Sequence, residues 1–71
     1  MEQLVSTTDS VRLSFLLALL RDAGILVHVF DANISALEAG IGAFPRRIMV
    51  TSERLLAAKT LLEEAHEYYD D

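Results

Sequence analysis

One strand in the second half of this 71-residue chain limits what the fold can be. Pro45 has a fixed φ and no backbone N–H, so it suits the first position of a strand. Ile48 and Val50 then point to one side of the sheet. Arg47 and Met49 point to the opposite side. From the order of helices and strands along the chain, we place it in the middle of a three-stranded sheet.

The other elements follow from capping residues and apolar spacing. Asp9 is the expected N-cap of a first helix that ends at Gly24, and Ser52 is the expected cap of a second helix. We predict strands over residues 3–7, 25–30 and 46–51, with strict alternation of sides along the first one, and a first helix over residues 10–23. We expect the polar stretch 68–71 after the second helix to fray.

This order of elements predicts the fold class α+β, in the sequence β-α-β-β-α. Two parallel strands joined through a helix cross over with right-handed geometry, and the third strand can then pair between them. The result is a three-stranded sheet of order 2-3-1, with residues 46–51 central and antiparallel to both neighbours. Both helices pack on one face. This is a ferredoxin-like plait that lacks its fourth strand, built as a single domain over residues 1–71.

A sheet with both helices on one face leaves its other face uncovered. The strand over residues 25–30 is apolar on both sides, which is typical of a strand buried on both faces. Leu26, Phe30 and Met49 are therefore expected on the uncovered face, as an interface between two copies of the chain. The alternative cover is the connection after the second strand, whose apolar residues are Ile34, Leu37, Ile41 and Phe44.

Charge and cysteine content exclude several classes of function. The formal net charge of −5 argues against nucleic acid and against an anionic membrane surface as partners. The chain contains no cysteine, so it has neither a disulfide nor a thiolate metal site. The lack of cysteine and of a recognisable signal peptide leads us to expect a cytoplasmic protein.

No set of residues predicts catalysis, and we expect no enzyme activity, no cofactor and no metal site. His28 lies among apolar residues and is interpreted as a core or interface histidine. His66 lies late in the second helix beside carboxylates, which indicates a solvated histidine stabilised by the helix C-terminus. Neither histidine has a partner at metal-ligand spacing.

Binding features are concentrated in one stretch, just before and within the central strand. It combines mobile glycines, an aromatic ring, a rigid proline and adjacent guanidinium groups, and its candidate binding residues are Gly40, Gly42, Phe44, Pro45, Arg46 and Arg47. Successive strand residues point to opposite sides, so the two arginines face different ways. One of them could bind a carboxylate or phosphate. The alternative is an internal ion pair with Asp31, Glu38 or a helix carboxylate.

Four short patterns resemble one family across nearly the whole chain. They are Thr8-Asp9, Leu19-Leu20-x-x-Ala23-Gly24-Ile25, Gly42-x-x-Pro45-x-Arg47-Ile48-x-Val50 and Ala57-Ala58-x-x-x-Leu61-Leu62. The family is a set of short bacterial proteins described as prokaryotic signal-transducing proteins. It is similar to the PII-like nitrogen regulators, which have a ferredoxin-like plait and signal through the loop between their second and third strands.

The resemblance implies a regulatory binding module and no catalytic residue. We therefore expect a non-enzymatic module that presents the loop over residues 31–44 and the uncovered sheet face to a protein partner or a small regulatory ligand. The alternative is a structural accessory that packs on a larger protein or on itself, without a small-molecule ligand.

Overall fold

The computed structural model describes residues 1–31 and 45–71, and within them the predicted order of elements is confirmed. The elements are strand β1 Glu2–Thr7, helix α1 Ser10–Asp22, strand β2 His28–Asp31, strand β3 Arg46–Val50, a short 3₁₀ turn Ser52–Arg54 and helix α2 Leu55–Glu64. The second strand begins three residues later than predicted, and β3 ends one residue earlier. The connection between β2 and β3 lies outside the described residues.

The sheet has the predicted topology, with β3 in the centre. Its order is β1-β3-β2, and β3 pairs antiparallel with both neighbours. Ile48 lies opposite Val5 of β1 and opposite Val29 of β2, which forms one row across the side that faces the helices. One residue earlier on β3, Arg47 lies between Ser6 and Phe30 on the other side.

Strand β1 departs from the strict alternation that the sequence predicted. Gln3 pairs with Met49 and Val5 pairs with Ile48, so two steps along β1 match one step along β3. Leu4 is the extra residue of this β-bulge. The bulge lets Leu4 and Val5 both point into the core, where they are 5% and 1% exposed. The prediction that Gln3 shares a side with Val5 is therefore wrong, because the bulge turns Gln3 toward the uncovered face.

A single apolar core lies between the sheet and the two helices. Its buried members are Leu4, Val5, Leu13, Leu16, Leu20, Ile25, Val27, Ile48, Val50, Ala58 and Leu62. Both helices contribute to this cluster. Its other members come from β1, from β3 and from the approach to β2, and Val29 of β2 packs against it while partly buried. The placement of both helices on one face of the sheet is thus confirmed.

One of the two predicted helix caps is present. The Asp9 side chain accepts hydrogen bonds from the backbone N–H groups of Val11 and Arg12, at 2.9 and 3.3 Å, as expected for an N-cap. The Ser52 cap is wrong, because Ser52 begins a 3₁₀ turn and the α-helix starts only at Leu55, without a side-chain cap. The Ser52 hydroxyl instead donates to the carboxylate of Glu2 at 3.2 Å.

Both helices end in the same backbone arrangement. After α1, the N–H of Gly24 bonds to the carbonyl of Arg21, and that of Ile25 bonds to the carbonyl of Leu20. This pair of bonds is a Schellman motif, whose turning residue needs a positive φ. Gly24 supplies a φ of 79°, as predicted.

Helix α2 closes with the equivalent pair of bonds around a histidine. The N–H of His66 bonds to the carbonyl of Glu63, and that of Glu67 bonds to the carbonyl of Leu62. His66 has a φ of 59°, a conformation that side chains with a Cβ seldom adopt. This turn was not predictable from local patterns, because position 66 carries a histidine instead of the expected glycine.

The conformation of Gly24 leads to a first prediction. Gly24→Ala should lower the free energy of unfolding by about 1 kcal/mol, because alanine is strained at this φ. A Cβ at position 24 would meet no atom within 4 Å, so crowding contributes nothing to the loss. Gly24→Asn is the matched control and should lose less, since asparagine tolerates the left-handed region. Urea denaturation measures both, and equal losses would contradict the assignment.

The same reasoning predicts the opposite sign at the end of α2. His66→Gly should raise the free energy of unfolding by about 0.5–1 kcal/mol, because glycine removes the left-handed strain. Ala65→Gly, one residue earlier at φ −88°, should be destabilising. Urea denaturation midpoints check the pair, and a destabilised His66→Gly chain would show that the imidazole makes a contact worth more than the strain.

Candidate functional site

The side of the sheet opposite the helices carries apolar side chains that reach solvent. Leu26 is 66% exposed and Phe30 is 42% exposed. Met49 is half-buried and lies opposite Gln3 and His28 in the strand pairing. The three residues proposed from the sequence as an interface thus all point away from the core. We call the side that bears Gln3, Ser6, Leu26, His28, Phe30, Arg47 and Met49 the open face.

Arg47 extends the open face with a positive charge next to an aromatic ring. Its guanidinium carbon lies 5.9 Å from the centre of the Phe30 ring, across the strand pair that joins these two residues. This distance is within the range of a cation–π contact, which at an exposed site is worth about 0.5–1 kcal/mol. The contact holds an exposed guanidinium over an apolar surface, an arrangement that suits recognition of an acidic or aromatic group.

The two arginines of β3 point to opposite sides. Arg46 is half-buried and pairs with the buried Thr7 on one side and with Asp31 on the other, so it lies on the helix side of the sheet. Arg47 alone reaches the open face. Pro45 is exposed and directly precedes β3. Among the proposed binding residues, Arg46 and Arg47 therefore lie on opposite sides of the sheet, and the structure does not bring them together.

Three of the proposed binding residues, Gly40, Gly42 and Phe44, lie outside the described residues. So do the alternative ion-pair partner Glu38 and the apolar residues of the connection. The role given to this loop stays a prediction.

The two histidines are both exposed. His28 is exposed and lies on the open face, because β2 is covered by helices on one side only. Of its two interpretations, the core histidine is wrong and the interface histidine stays a prediction. His66 is exposed at the end of α2, as expected. Within residues 1–31 and 45–71, no group of three or more histidine, aspartate or glutamate side chains is arranged to hold a metal ion. In the same ranges, neither helix has the length and apolar character needed to cross a bilayer.

A second polar cluster centres on Arg12, in the first turns of α1. Its side chain is only 8% exposed and bonds to four groups that follow α2. Nε donates to the Glu67 carboxylate at 2.9 Å, and one terminal nitrogen donates to the Asp71 carboxylate at 2.9 Å. The other terminal nitrogen donates to the backbone carbonyls of Glu67 and Tyr69, at 2.7 and 2.9 Å. The guanidinium also lies over the Tyr69 ring, 3.9 Å from its centre.

The residues bound by Arg12 run along the outer edge of β1. We call residues 67–71 the return segment. The N–H of Ser6 donates to the Asp70 carboxylate at 2.8 Å, and the N–H of Asp71 donates to the Ser6 carbonyl at 3.0 Å. The Thr8 hydroxyl adds a bond to the Asp71 carbonyl at 3.2 Å. The expected fraying of residues 68–71 is therefore wrong, because a buried charge and a strand edge hold them.

The return segment occupies the position of the missing strand. In a β-α-β-β-α-β plait, the last strand follows the second helix and pairs beside the first strand. Here the chain after α2 does reach that edge, but it forms no regular ladder. It satisfies both backbone groups of Ser6, one through a side chain and one through the main chain.

The ionisation of this cluster follows from its contacts. A hydrogen bond from Thr7 and the neighbouring Arg12 charge hold the pKa of Asp71 below its ordinary value of 3.8. Burial alone would lower the pKa of Arg12, but its hydrogen bonds to Glu67 and Asp71 raise that pKa overall. Both carboxylates thus favour the charged form of the guanidinium, and the guanidinium in turn favours the ionised form of Asp71.

Comparison with known proteins places the chain in one family. The family described as "Putative prokaryotic signal transducing protein" matches residues 1–66. The chain belongs to this DUF2007 family. The match covers every element of the sheet and both helices. No curated protein and no solved structure shows a significant match to the chain.

The DUF2007 match ends where the return segment begins. Residues 1–66 include Arg12, whereas its partners Glu67, Tyr69 and Asp71 all lie beyond the matched range. The sequence reasoning missed this cluster. Two signals could have found it: an arginine beside the apolar stripe of α1, and a short stretch after α2 that combines two tyrosines with three carboxylates.

The depressed pKa of Asp71 predicts how stability depends on pH. Its pKa is lower folded than unfolded, so its contribution is complete above about pH 4 and is lost as pH falls through the folded pKa. The difference in free energy of unfolding between the wild type and Asp71→Asn should therefore disappear below that pKa. Carbon-13 NMR of the Asp71 carboxyl group gives the pKa directly.

Thr7 provides the control for this titration. Thr7→Val removes the hydroxyl that donates to Asp71 and should raise the pKa of Asp71, whereas Thr7→Ser retains the hydroxyl and should leave it low. An Asp71 pKa at or above 3.8 in the wild type would contradict the docked position of the return segment.

Proposed function

We propose that this chain is a non-catalytic binding module of a cytoplasmic signalling system, and that it contacts a protein partner through its open face. The observation that carries the proposal is the exposure of Leu26 and Phe30 on a side of the sheet that neither helix covers. The description of the DUF2007 family supports a role in signal transduction. The analogy with PII-like regulators, which signal through the loop between their second and third strands, belongs to the same proposal.

The energetics favour a covered open face. Fully hiding a large apolar side chain from water stabilises a protein or complex by about 1.5–3 kcal/mol, and covering the exposed parts of Leu26 and Phe30 contributes a share of that for each. Arg47 adds a charged group at the centre of the face, beside Phe30. Arginine and aromatic residues are the residue types that contribute most to binding at protein interfaces.

The second candidate function is self-association through the same face. It is favoured by the small size of the domain, because a chain of this length buries a limited share of its surface alone. A two-fold contact would bring the open faces of two copies together, so that Phe30 and Leu26 of one copy meet the same patch of the other. In that case the module acts as a homodimer, and the signal passes through the remaining surface.

Sedimentation equilibrium separates the two candidates. If the open face joins two copies, the wild type should be dimeric at high micromolar concentration and Phe30→Asp should be monomeric. Val11→Asp is the matched control, because Val11 is 78% exposed on α1, away from the sheet. That variant should remain as associated as the wild type.

A wild type that is monomeric up to near-millimolar concentration removes the homodimer and leaves the protein partner. The binding module itself is tested by deletion of the gene against chromosomal Phe30→Asp. A Phe30→Asp strain that is indistinguishable from the wild type, while the deletion strain differs from it, would contradict a contact through the open face.

A further inference from the structure

We propose that the outer edge of β1, together with Arg12, is a binding site for an acidic peptide segment of a partner protein, and that the return segment is its intramolecular occupant. This site lies at the edge of the sheet and is separate from the open face. The return segment shows which chemistry the site accepts: a short chain that turns at Arg12, continues beside Ser6, and carries carboxylates and an aromatic ring.

The edge of β1 provides the main-chain part of the site. Because β1 is an edge strand, Ser6 directs its N–H and its carbonyl away from the sheet, and both groups are used by the return segment. A free strand edge of this kind binds extended peptides by adding them to the sheet. In this mode the backbone contributes affinity, whereas the side chains beside the edge determine which sequence binds.

Arg12 provides the chemical selectivity. Its two carboxylate bonds of 2.9 Å are charge-assisted. Its two carbonyl bonds come from one nitrogen and require the chain to turn around the guanidinium, as the bond from the N–H of Tyr69 to the carbonyl of Glu67 shows. At 8% exposure, a guanidinium without a carboxylate partner would be a buried, uncompensated charge. A neutral occupant would cover the guanidinium without compensating its charge, so the site disfavours a neutral occupant.

The aromatic part of the site is only partly filled. Tyr69 lies against Arg12, and Tyr68 lies 5.7 Å from the Lys59 ammonium, yet the two tyrosines remain 49% and 40% exposed. Beside them is a cavity of about 240 Å³, lined by Leu4, Val5, Tyr68, Tyr69 and Asp70. A partner segment with a larger apolar side chain could fill this space and bind more tightly than the return segment does.

The return segment can leave without disturbing the core. None of its residues belongs to the apolar cluster between sheet and helices, and it is joined to α2 through the strained φ of His66. Segments with few buried apolar contacts open locally, without unfolding of the domain. While attached, the segment competes at the high effective concentration of an intramolecular ligand, so a partner must displace it.

NMR titration of the full chain tests the site. The probe is the acetylated pentapeptide Glu-Tyr-Tyr-Asp-Asp, and the signals followed are the amides of Ser6 and Thr8 and the Nε–H of Arg12. Asp70→Asn/Asp71→Asn weakens the chain's own occupant. This double variant should bind the peptide about tenfold or more tightly than the wild-type chain does.

Two matched controls define the chemistry. The peptide Glu-Tyr-Tyr-Asn-Asn should bind the double variant at least about tenfold more weakly, because it lacks the carboxylates equivalent to Asp70 and Asp71, which bond to the Ser6 N–H and to Arg12. Adding Arg12→Lys to the double variant should weaken the acidic peptide similarly, since lysine cannot make the forked set of bonds. Equal affinities for the two peptides, no saturable shift at millimolar peptide, or shifts at Phe30 and Met49 instead of Ser6 would each overturn the proposal.

Hydrogen exchange of the wild type covers the case in which the double variant does not fold. The Ser6 amide should exchange at least about tenfold faster than the Ile48 amide in the centre of the sheet, because the return segment opens locally. If both amides exchange at the rate of global unfolding, the segment is a fixed part of the fold and the proposal fails.

Discussion

The pairing of β3 with a strand on each side is the constraint on which the rest of the structure depends. It places Ile48 and Val50 where no water reaches them, at 0% exposure, although the domain has only 71 residues. A two-stranded hairpin of this length would be marginal at best, and a third strand is what makes such a sheet stable. Helix α1 carries the chain from β1 past the place of β3, so that β3 can enter between its two neighbours.

A buried positive charge organises the end of the described chain. Arg12 lies too deep to be solvated, so its donors must find acceptors within the protein. The return segment supplies two carboxylates and two carbonyls as acceptors, and these bonds hold the segment in an ordered position along β1. The same set of bonds explains why three acidic residues remain together on a chain whose net charge is already −5. Their mutual repulsion is offset at one point by the guanidinium.

Local chemistry made most of the fold predictable. Asp9 and Gly24 fixed both ends of α1 because each has a single strong physical reason to be there: a side-chain acceptor and a free left-handed conformation. Ile48 and Val50 are two positions apart on β3 and therefore share one face of the sheet, which identified the face that the helices cover. The same alternation along residues 25–30 placed Leu26 and Phe30 on the other face.

What the sequence did not show depends on contacts between distant residues or on exceptions to local rules. The bulge at Leu4 depends on how β1 pairs with β3, and a leucine at that position does not predict it. His66 adopts a conformation that favours glycine, so the turn after α2 could not be read from composition. The bond between Arg12 and Glu67 spans 55 positions, and local patterns carry no information over that separation.

The position of the return segment also limits how copies of this protein can join through their sheets. A sheet with two open edges can add copies at both ends and grow into a fibre, which is a hazard for small domains with exposed strands. Here the return segment bonds to both backbone groups of Ser6 and blocks the edge of β1 at that residue, so only the edge of β2 is left for an uninterrupted ladder. Growth by head-to-tail addition needs two complementary ends. Contact through the remaining edge therefore stops at a pair, and a few residues after the second helix are enough to turn an open-ended polymer into a closed assembly.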